Sequence, residues 1–472
     1  MRPPRFSGGL LLAAAAALSG CASLDPEAAY APLRELAQQQ SGQPLQLTRA
    51  AADQARVDAQ VELLLAAPLT MDAAVQLALL NNRGLQASLQ ELGLGEAERA
   101  QAGRLANPGF SIARLRRGDE RERELGLGLN LGQLLALPQV REIEARRLRA
   151  LQQRTGLALL ALAADTRRAW VSAVAAEQAL RYQRDVLEAA EAGAELGRRM
   201  VGAGNWNRLQ LAREQGFAAE AALALARAEQ QRLQQRERLA RLLGLWGEPL
   251  ARLRLPTQLP DLPDGLPERA GLEQQALAQR LDVQAARAQT EATARSLGLS
   301  RISHFINALE LGVMRNSSNE APLQTGTELH FEIPLFDWGE ARQAHAEALY
   351  LQSVHQAAHT AIQARSEVRE AELLWRSSYD IARHHRDELL PIARRISEEN
   401  LLRYNGMFIS VFELLADARA QIAAVNAALA AQRDFWLAQA ALDQALLGPS
   451  SAVAVIESAA TTGPAPAATA AH

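Results

Sequence analysis

The sequence predicts a mainly α chain with a small amount of membrane β structure, built as one helix–hairpin–long helix–helix unit repeated twice. Three observations predict it. Ala, Leu, Gln, Arg and Glu dominate the 472 residues, while aromatics are 4% and charged residues 22%, a balance of long helices rather than of a sandwich or an α/β enzyme. Apolar residues recur at helical spacing over stretches of several tens of residues. Two short segments switch to strict alternation instead.

The chain opens with Arg2 and Arg5, then an apolar run, Leu10 to Leu18, too short to cross a bilayer as a mature helix. Leu18-Ser19-Gly20-Cys21 resembles the bacterial lipobox, in which the peptide is cut before the cysteine and that cysteine is lipidated. Residues 1–20 are thus expected to be a lipoprotein signal peptide, and 21–68 a segment anchored by lipid (palmitate included) at Cys21. Ala22 rather than Asp follows, which by that resemblance favours the outer membrane. The bland reading is an ordinary secretory signal with an incidental cysteine. Cys21 is the single cysteine, so no intrachain disulfide can form. No later segment holds ~18 consecutive apolar residues, so a membrane crossing would have to be a β-barrel. Net charge is −3 with acids and bases interspersed, which leaves no basic stripe for nucleic acid.

The first repeat covers 69–246. Thr70 can cap a helix whose first turn holds Asp72, and Ala74, Leu77, Ala78, Leu85, Leu89 and Leu92 carry it to about Ala106. A hairpin is expected over 107–136. Phe110, Ile112 and Leu115 form a weak first strand, Arg116 to Glu124 a solvated charged turn, and Leu125, Leu127, Leu129 and Leu131 one face of the second strand. A helix of roughly 60 residues follows from Gln139 to Met200, then a break at Val201 to Asn205, then a helix from Asn207 to Leu243. Residues 247–267 hold five prolines and are expected to be a loop.

The second repeat, 268–447, follows the same order. It has a helix to Leu299 and a hairpin over 304–336, with Phe305, Leu309, Leu311 and Val313 facing one way and Leu329, Phe331, Ile333 and Leu335 matching them. Asn316 to Pro322 form its turn. A helix then runs from Glu340 to Arg403 with a bend at Pro391, and a last one from Val411 to Leu447. Residues 448–472, rich in Ala, Pro and Thr, are expected to be disordered. Ala78 to Ala87 align with Ala276 to Ala285, and Arg198 to Gly202 with Arg403 to Met407, so the chain is an internal duplication. Strands of this length suit a tilted membrane crossing. Four per chain cannot close a barrel, so several chains must share one.

Leu69-Thr70-Met71-Asp72-Ala73-Ala74-Val75-Gln76-Leu77-Ala78 resembles the opening helix of the TolC family of outer-membrane factors, and Ile333 to Gly339 its strand-to-helix junction. Arg198 to Ala203 and Arg403 to Arg419 resemble its two periplasmic helix–turn–helix tips. The resemblance covers nearly the whole chain. It implies a homotrimer with a twelve-strand barrel continued by a helical periplasmic tunnel. Such a channel docks by its tips to a periplasmic membrane-fusion adaptor and an inner-membrane pump, of the RND type or another, and acts as the passive outlet of a tripartite efflux system. The tip segment Arg403 to Arg419 looks closest to channels paired with heavy-metal exporters. The resemblance further implies docking residues Arg198, Val201, Gly202, Arg403, Tyr404 and Gly406, and an acidic ring at the tunnel mouth. Glu413 falls near the first acidic position. At the second stand Ala416 and then Asp417, one residue out of register and ~100° round the helix. The gapless alignment sets Arg208 against Glu413, which suggests an Arg208–Glu413 contact holding the mouth closed. Glu310, His330 and Glu332 are expected to line the lumen.

No cofactor or resident metal is expected. His355 and His359 stand four apart, a spacing that can seat a metal, but no third ligand is near and a solvated helix face explains them. No nucleophile–base pair or phosphate loop is visible, so no enzyme is expected. Two rivals remain: a type I protein secretion channel of the same fold, and a lipid-anchored periplasmic coiled-coil adaptor or scaffold.

Overall fold

The computed structural model describes residues 27–42, 45–104, 107–300, 309–331 and 340–450. Residues 1–20, Cys21, Glu332, Ile333 to Gly339 and the tail after Ser450 lie outside them.

After a 3₁₀ turn at Ala28–Tyr30 the elements are α1 (Ala31–Ser41), α2 (Ala51–Leu65), α3 (Met71–Asn81), α4 (Arg83–Ala102), β1 (Gly109–Arg117), β2 (Glu120–Asn130), α5 (Leu131–Gly202), α6 (Arg208–Leu243) and the short α7 (Gly247–Arg252). The second half contributes α8 (Leu272–Gln279), α9 (Leu281–Ser300), β3 (Leu309–Ser318), β4 (Gln324–Phe331), α10 (Glu340–His384), a π-helical turn at His385–Leu389, α11 (Leu390–Asn405) and α12 (Val411–Ala445). The chain divides into two compact units. Among the described residues, one takes those up to Leu33 together with 88–155 and 285–359, and the other 34–87, 156–284 and those from Thr360 to Ser450.

The first unit holds the sheet. Its four strands run antiparallel in the order β1-β2-β3-β4, so β1 and β4 have free edges. The charged segment expected as a turn is strand instead. Pairing continues out to Arg117 and Glu120, leaving Gly118 and Asp119 as a two-residue loop, with Gly118 at φ +61°. Glycine first in such a loop matches the right-handed twist of the flanking strands. Asn319 ties the two hairpin ends together, its amide donating to the Asp119 carbonyl (3.1 Å) while its oxygen accepts from the Arg121 N–H (2.6 Å). β2 ends at Asn130, so Leu131 belongs to α5, which starts eight residues earlier than expected and carries Pro138 within it. Below the sheet, the Arg141 guanidinium donates to the Gly103 carbonyl, and Arg146 to the Ala292 carbonyl.

The second unit shows the duplication most clearly. The single helices expected at the start of each repeat are broken, at Asn82 (ψ +116°) and at Arg280 (ψ +126°), positions that the sequence alignment pairs. The reason is shared. A helix ends with unpaired carbonyls, and each break turns a donor onto the last helix of its own repeat. Asn82 donates to the Leu242 carbonyl (2.9 Å) and Asn81 to those of Leu243 and Gly244. Arg280 donates to the Ala445 carbonyl (3.1 Å). Thr70 caps α3 as expected, its hydroxyl accepting from the Ala73 N–H (3.2 Å). Two of the buried hydrophobic clusters are built around a tryptophan. Trp170 is buried among residues of α2, α3, α6 and the linker, its indole donating to the Leu69 carbonyl (2.7 Å). Trp375 is buried among α8, α10 and α12 and donates to Gln439 (2.6 Å).

Two further departures have local causes. The Pro-rich linker contains α7, whose end is capped by Arg236 donating to the Leu250 and Leu253 carbonyls. Where a bend is expected at Pro391, the helix takes a π turn at His385–Leu389, just before the proline. Proline has no N–H for the i−4 carbonyl and its ring crowds that oxygen, and a widened turn relieves both.

Candidate functional site: the joined helix tips

The two helix–turn–helix tips, α5–α6 and α11–α12, close with the same capping geometry. In the first, Gly204 takes the left-handed conformation (φ +77°), its N–H reaching the Val201 carbonyl and that of Asn205 the Met200 carbonyl. In the second, Met407 takes that place (φ +62°), with Met407 N–H to Tyr404 and Phe408 N–H to Arg403. These are Schellman closures. The next helices start alike. Asn207 and Gln210 form a capping box on α6, and Ser410 and Glu413 form one on α12.

These frames correct the gapless alignment. They pair Gly204 with Met407, Asn207 with Ser410 and Gln210 with Glu413, so Arg208 matches Val411 and not Glu413. The buried tryptophans Trp170 and Trp375 are 205 apart whereas the capping residues are 203 apart, so the intervening helix is two residues shorter in the second repeat. That helix carries the π turn. Within the single chain Arg208 is exposed at the first position of α6, and it forms no ion pair with Glu413.

Of the expected tip residues, Arg198 pairs with Glu195 (2.8 Å), as does Arg199 (2.9 Å). The hydrogen bonds from Arg198 and Arg199 hold the Glu195 carboxyl below the ordinary carboxylate range. Arg403 pairs with Glu399 (3.4 Å). Val201 and Tyr404 are half-buried, while Gly202 and Gly406 are exposed. Glu413 is exposed and its carboxylate accepts from the Ser410 N–H (3.3 Å). Asp417, one turn on, is half-buried, with Oδ2 enclosed and unpartnered. At the end of the second tip Met407 and Phe408 are 93% and 83% exposed, an apolar pair in water beside a strained backbone.

The contacts that join the tips were not expected. Trp206, in the first turn, is buried by stacking on Phe412 of α12 (centroids 4.5 Å, 26°). Gly197 makes the seat, because a Cβ there would come within 3.0 Å of the indole. Deeper along α12, Arg419 pairs with the buried Glu214 of α6 (2.7 Å) and lies over the Phe217 ring (4.5 Å). The legible signal was a tryptophan inside a Gly/Asn turn, with Gly197 in the preceding helix leaving room for it.

In the sheet, the register sets Glu310 opposite both Asn130 and His330. The side chains of Glu310 and His330, and all of Glu332, fall outside the described residues. Among the described residues no group of three or more His, Cys, Asp or Glu could hold a metal, and no helix is long and apolar enough to cross a membrane.

No protein-family model and no curated protein matches the chain. Solved structures do. A membrane protein from Pseudomonas aeruginosa superposes with a TM-score of 0.69 at 20% identity, over 80% of this chain and 93% of that one. CusC, studied for its folding and transmembrane channel formation, gives 0.66 at 20% identity, over 80% and 92%. The Campylobacter jejuni outer membrane channel CmeC gives 0.65 at 16% identity, over 82% and 88%. These superpositions, each over about four fifths of the chain, give this protein the fold of the TolC-like outer-membrane channels.

Proposed function

We propose that the protein is the passive outer-membrane exit channel of a tripartite efflux system. One observation carries this reading. Phe110, Ile112, Leu127, Val313 and Leu329 lie on one face of the sheet and are exposed, while the edges of β1 and β4 are free. An apolar face with open edges is stable in lipid only when the edges are paired. Three copies, each setting β4 against the next copy's β1, close a twelve-strand barrel with that face outward. Small and polar residues, such as Ser111, Gly126, Gly128 and Gly312, then face a water-filled lumen, to whose lining we also assign Glu310, His330 and Glu332.

On this reading Cys21 carries the lipid anchor and the two tips meet a periplasmic adaptor, which couples the channel to an inner-membrane pump. Arg198, Val201, Gly202, Arg403, Tyr404 and Gly406 belong to that contact, extended by the exposed Met407 and Phe408. The cargo is small toxic compounds or metal ions. Glu413 and Asp417 ring the mouth, and the Trp206–Phe412 stack and Glu214–Arg419 pair hold the tips together.

Single-channel recording in a planar bilayer, with the mass measured alongside, tests this. A trimer with small, stable conductance is expected. The conductance should rise in Glu413→Gln/Asp417→Asn, and unchanged conductance in Arg208→Glu removes Arg208 from the gate. A monomer that never inserts removes the barrel, leaving the adaptor or scaffold reading. The type I secretion reading is favoured if the protein co-purifies with a peptide exporter.

A further inference from the structure

The outer ends of the strands sort their charges by face. Along Glu120-Arg121-Glu122-Arg123-Glu124 the side chains alternate, and the register puts Arg121 and Arg123 on the face of Leu125 and Leu127. Opposite Arg121 and Arg123 stand Arg116 and Arg114, and Arg315 of β3 lies beside Leu125. The three glutamates fall on the other face, where Glu122 accepts from Asn316 and Glu120 from Ser318. Five arginines therefore continue the apolar band toward the hairpin ends. All five are exposed, and among the described residues none of them forms an ion pair and no acid shares their face.

Like charges directly opposite one another on a strand pair are destabilising. Arg114 faces Arg123 and Arg116 faces Arg121, so this surface needs anions from outside the chain. The two arginine rows lie about 7 and 14 Å beyond the Ile112–Leu125 row at ~3.4 Å per residue, where a membrane's headgroups begin. Guanidinium groups bind phosphate oxygens through paired N–H donors. We infer that these arginines form a binding band for phosphate-bearing lipid headgroups in the leaflet that surrounds the hairpin ends. The inference rests on the barrel reading above, since only that reading turns this face to lipid.

The test uses the full chain and vesicles of phosphatidylcholine doped with bis-phosphorylated lipid A or with the same lipid stripped of phosphate. The variants are Arg114→Gln/Arg116→Gln/Arg121→Gln/Arg123→Gln, the four matching Lys replacements, and Arg117→Gln as a control on the opposite face. The wild type and Arg117→Gln are expected to retain the phosphorylated lipid at least about tenfold better, with the preference shrinking as salt rises. The Gln variant should insert equally but lose the preference, and the Lys variant should keep part of it. Equal retention of both lipids by the wild type, or an undiminished preference in the Gln variant, overturns the inference while leaving the channel reading intact. A wild-type chain that inserts into neither vesicle overturns both.

Discussion

Trp375→Ala is expected to destabilise the protein by about 3–5 kcal/mol, among the largest effects of any single truncation. The side chain is fully buried, packed with Val368, Tyr379, Phe435 and Leu442, and its indole nitrogen donates to Gln439. Truncation removes the packing, leaves a cavity between α8, α10 and α12, and strips Gln439 of its donor. Loss of helical circular dichroism against denaturant measures it. Trp246→Ala serves as the control, because Trp246 is 80% exposed and its loss should fall within about 0.5 kcal/mol of the wild type. Equal midpoints for the two variants would mean that the cluster around Trp375 contributes little.

Arg280→Met is expected to cost a similar amount, about 3–5 kcal/mol, for an electrostatic reason. Arg280 is 1% exposed and joins Asp282 (2.7 Å), Glu367 (2.8 Å) and the Ala445 carbonyl, closing the end of the second repeat onto its start. Burial works against its charge, but the hydrogen bonds to Asp282 and Glu367 outweigh burial and raise its pKa above the ordinary guanidinium value. Methionine fills the space but leaves two carboxylates facing each other with no cation. Their repulsion raises the folded-state pKa of one of them. A carboxyl whose folded pKa is raised destabilises when ionised, and protonation removes that cost. The deficit of the variant should therefore shrink as the pH falls through the carboxylate range, as read in unfolding midpoints for the two proteins side by side. A deficit independent of pH would show that lost packing, not unpaired charge, dominates.

Much of this was legible in the residues. Helical periodicity placed the long helices, strict alternation placed the strands, and Thr70 announced its cap. Gly204 and Gly406 marked the tips, although Gly406 proved to lie one residue before the left-handed position, which Met407 fills. The repeat was visible from Ala78–Ala87 against Ala276–Ala285, and the paired breaks at Asn82 and Arg280 fall inside that match. The breaks themselves were not legible, because neither residue is a helix breaker. They exist to satisfy carbonyls some 160 residues away.

By itself, then, the sequence determined the local periods, the duplication and the alternation that gives the sheet its apolar face, since these depend on neighbours within a few residues. Only the tertiary structure decided which tip residues correspond. The two-residue difference between the repeats accumulates along a helix that contains a π turn, and nothing in a gapless alignment reveals it. Only the tertiary structure joined Trp206 to Phe412 and Glu214 to Arg419, because such pairs are set by how helices distant in sequence pack side by side. The strand register likewise gathered five arginines from three strands onto one face, a pattern visible in the sequence only as alternating charge.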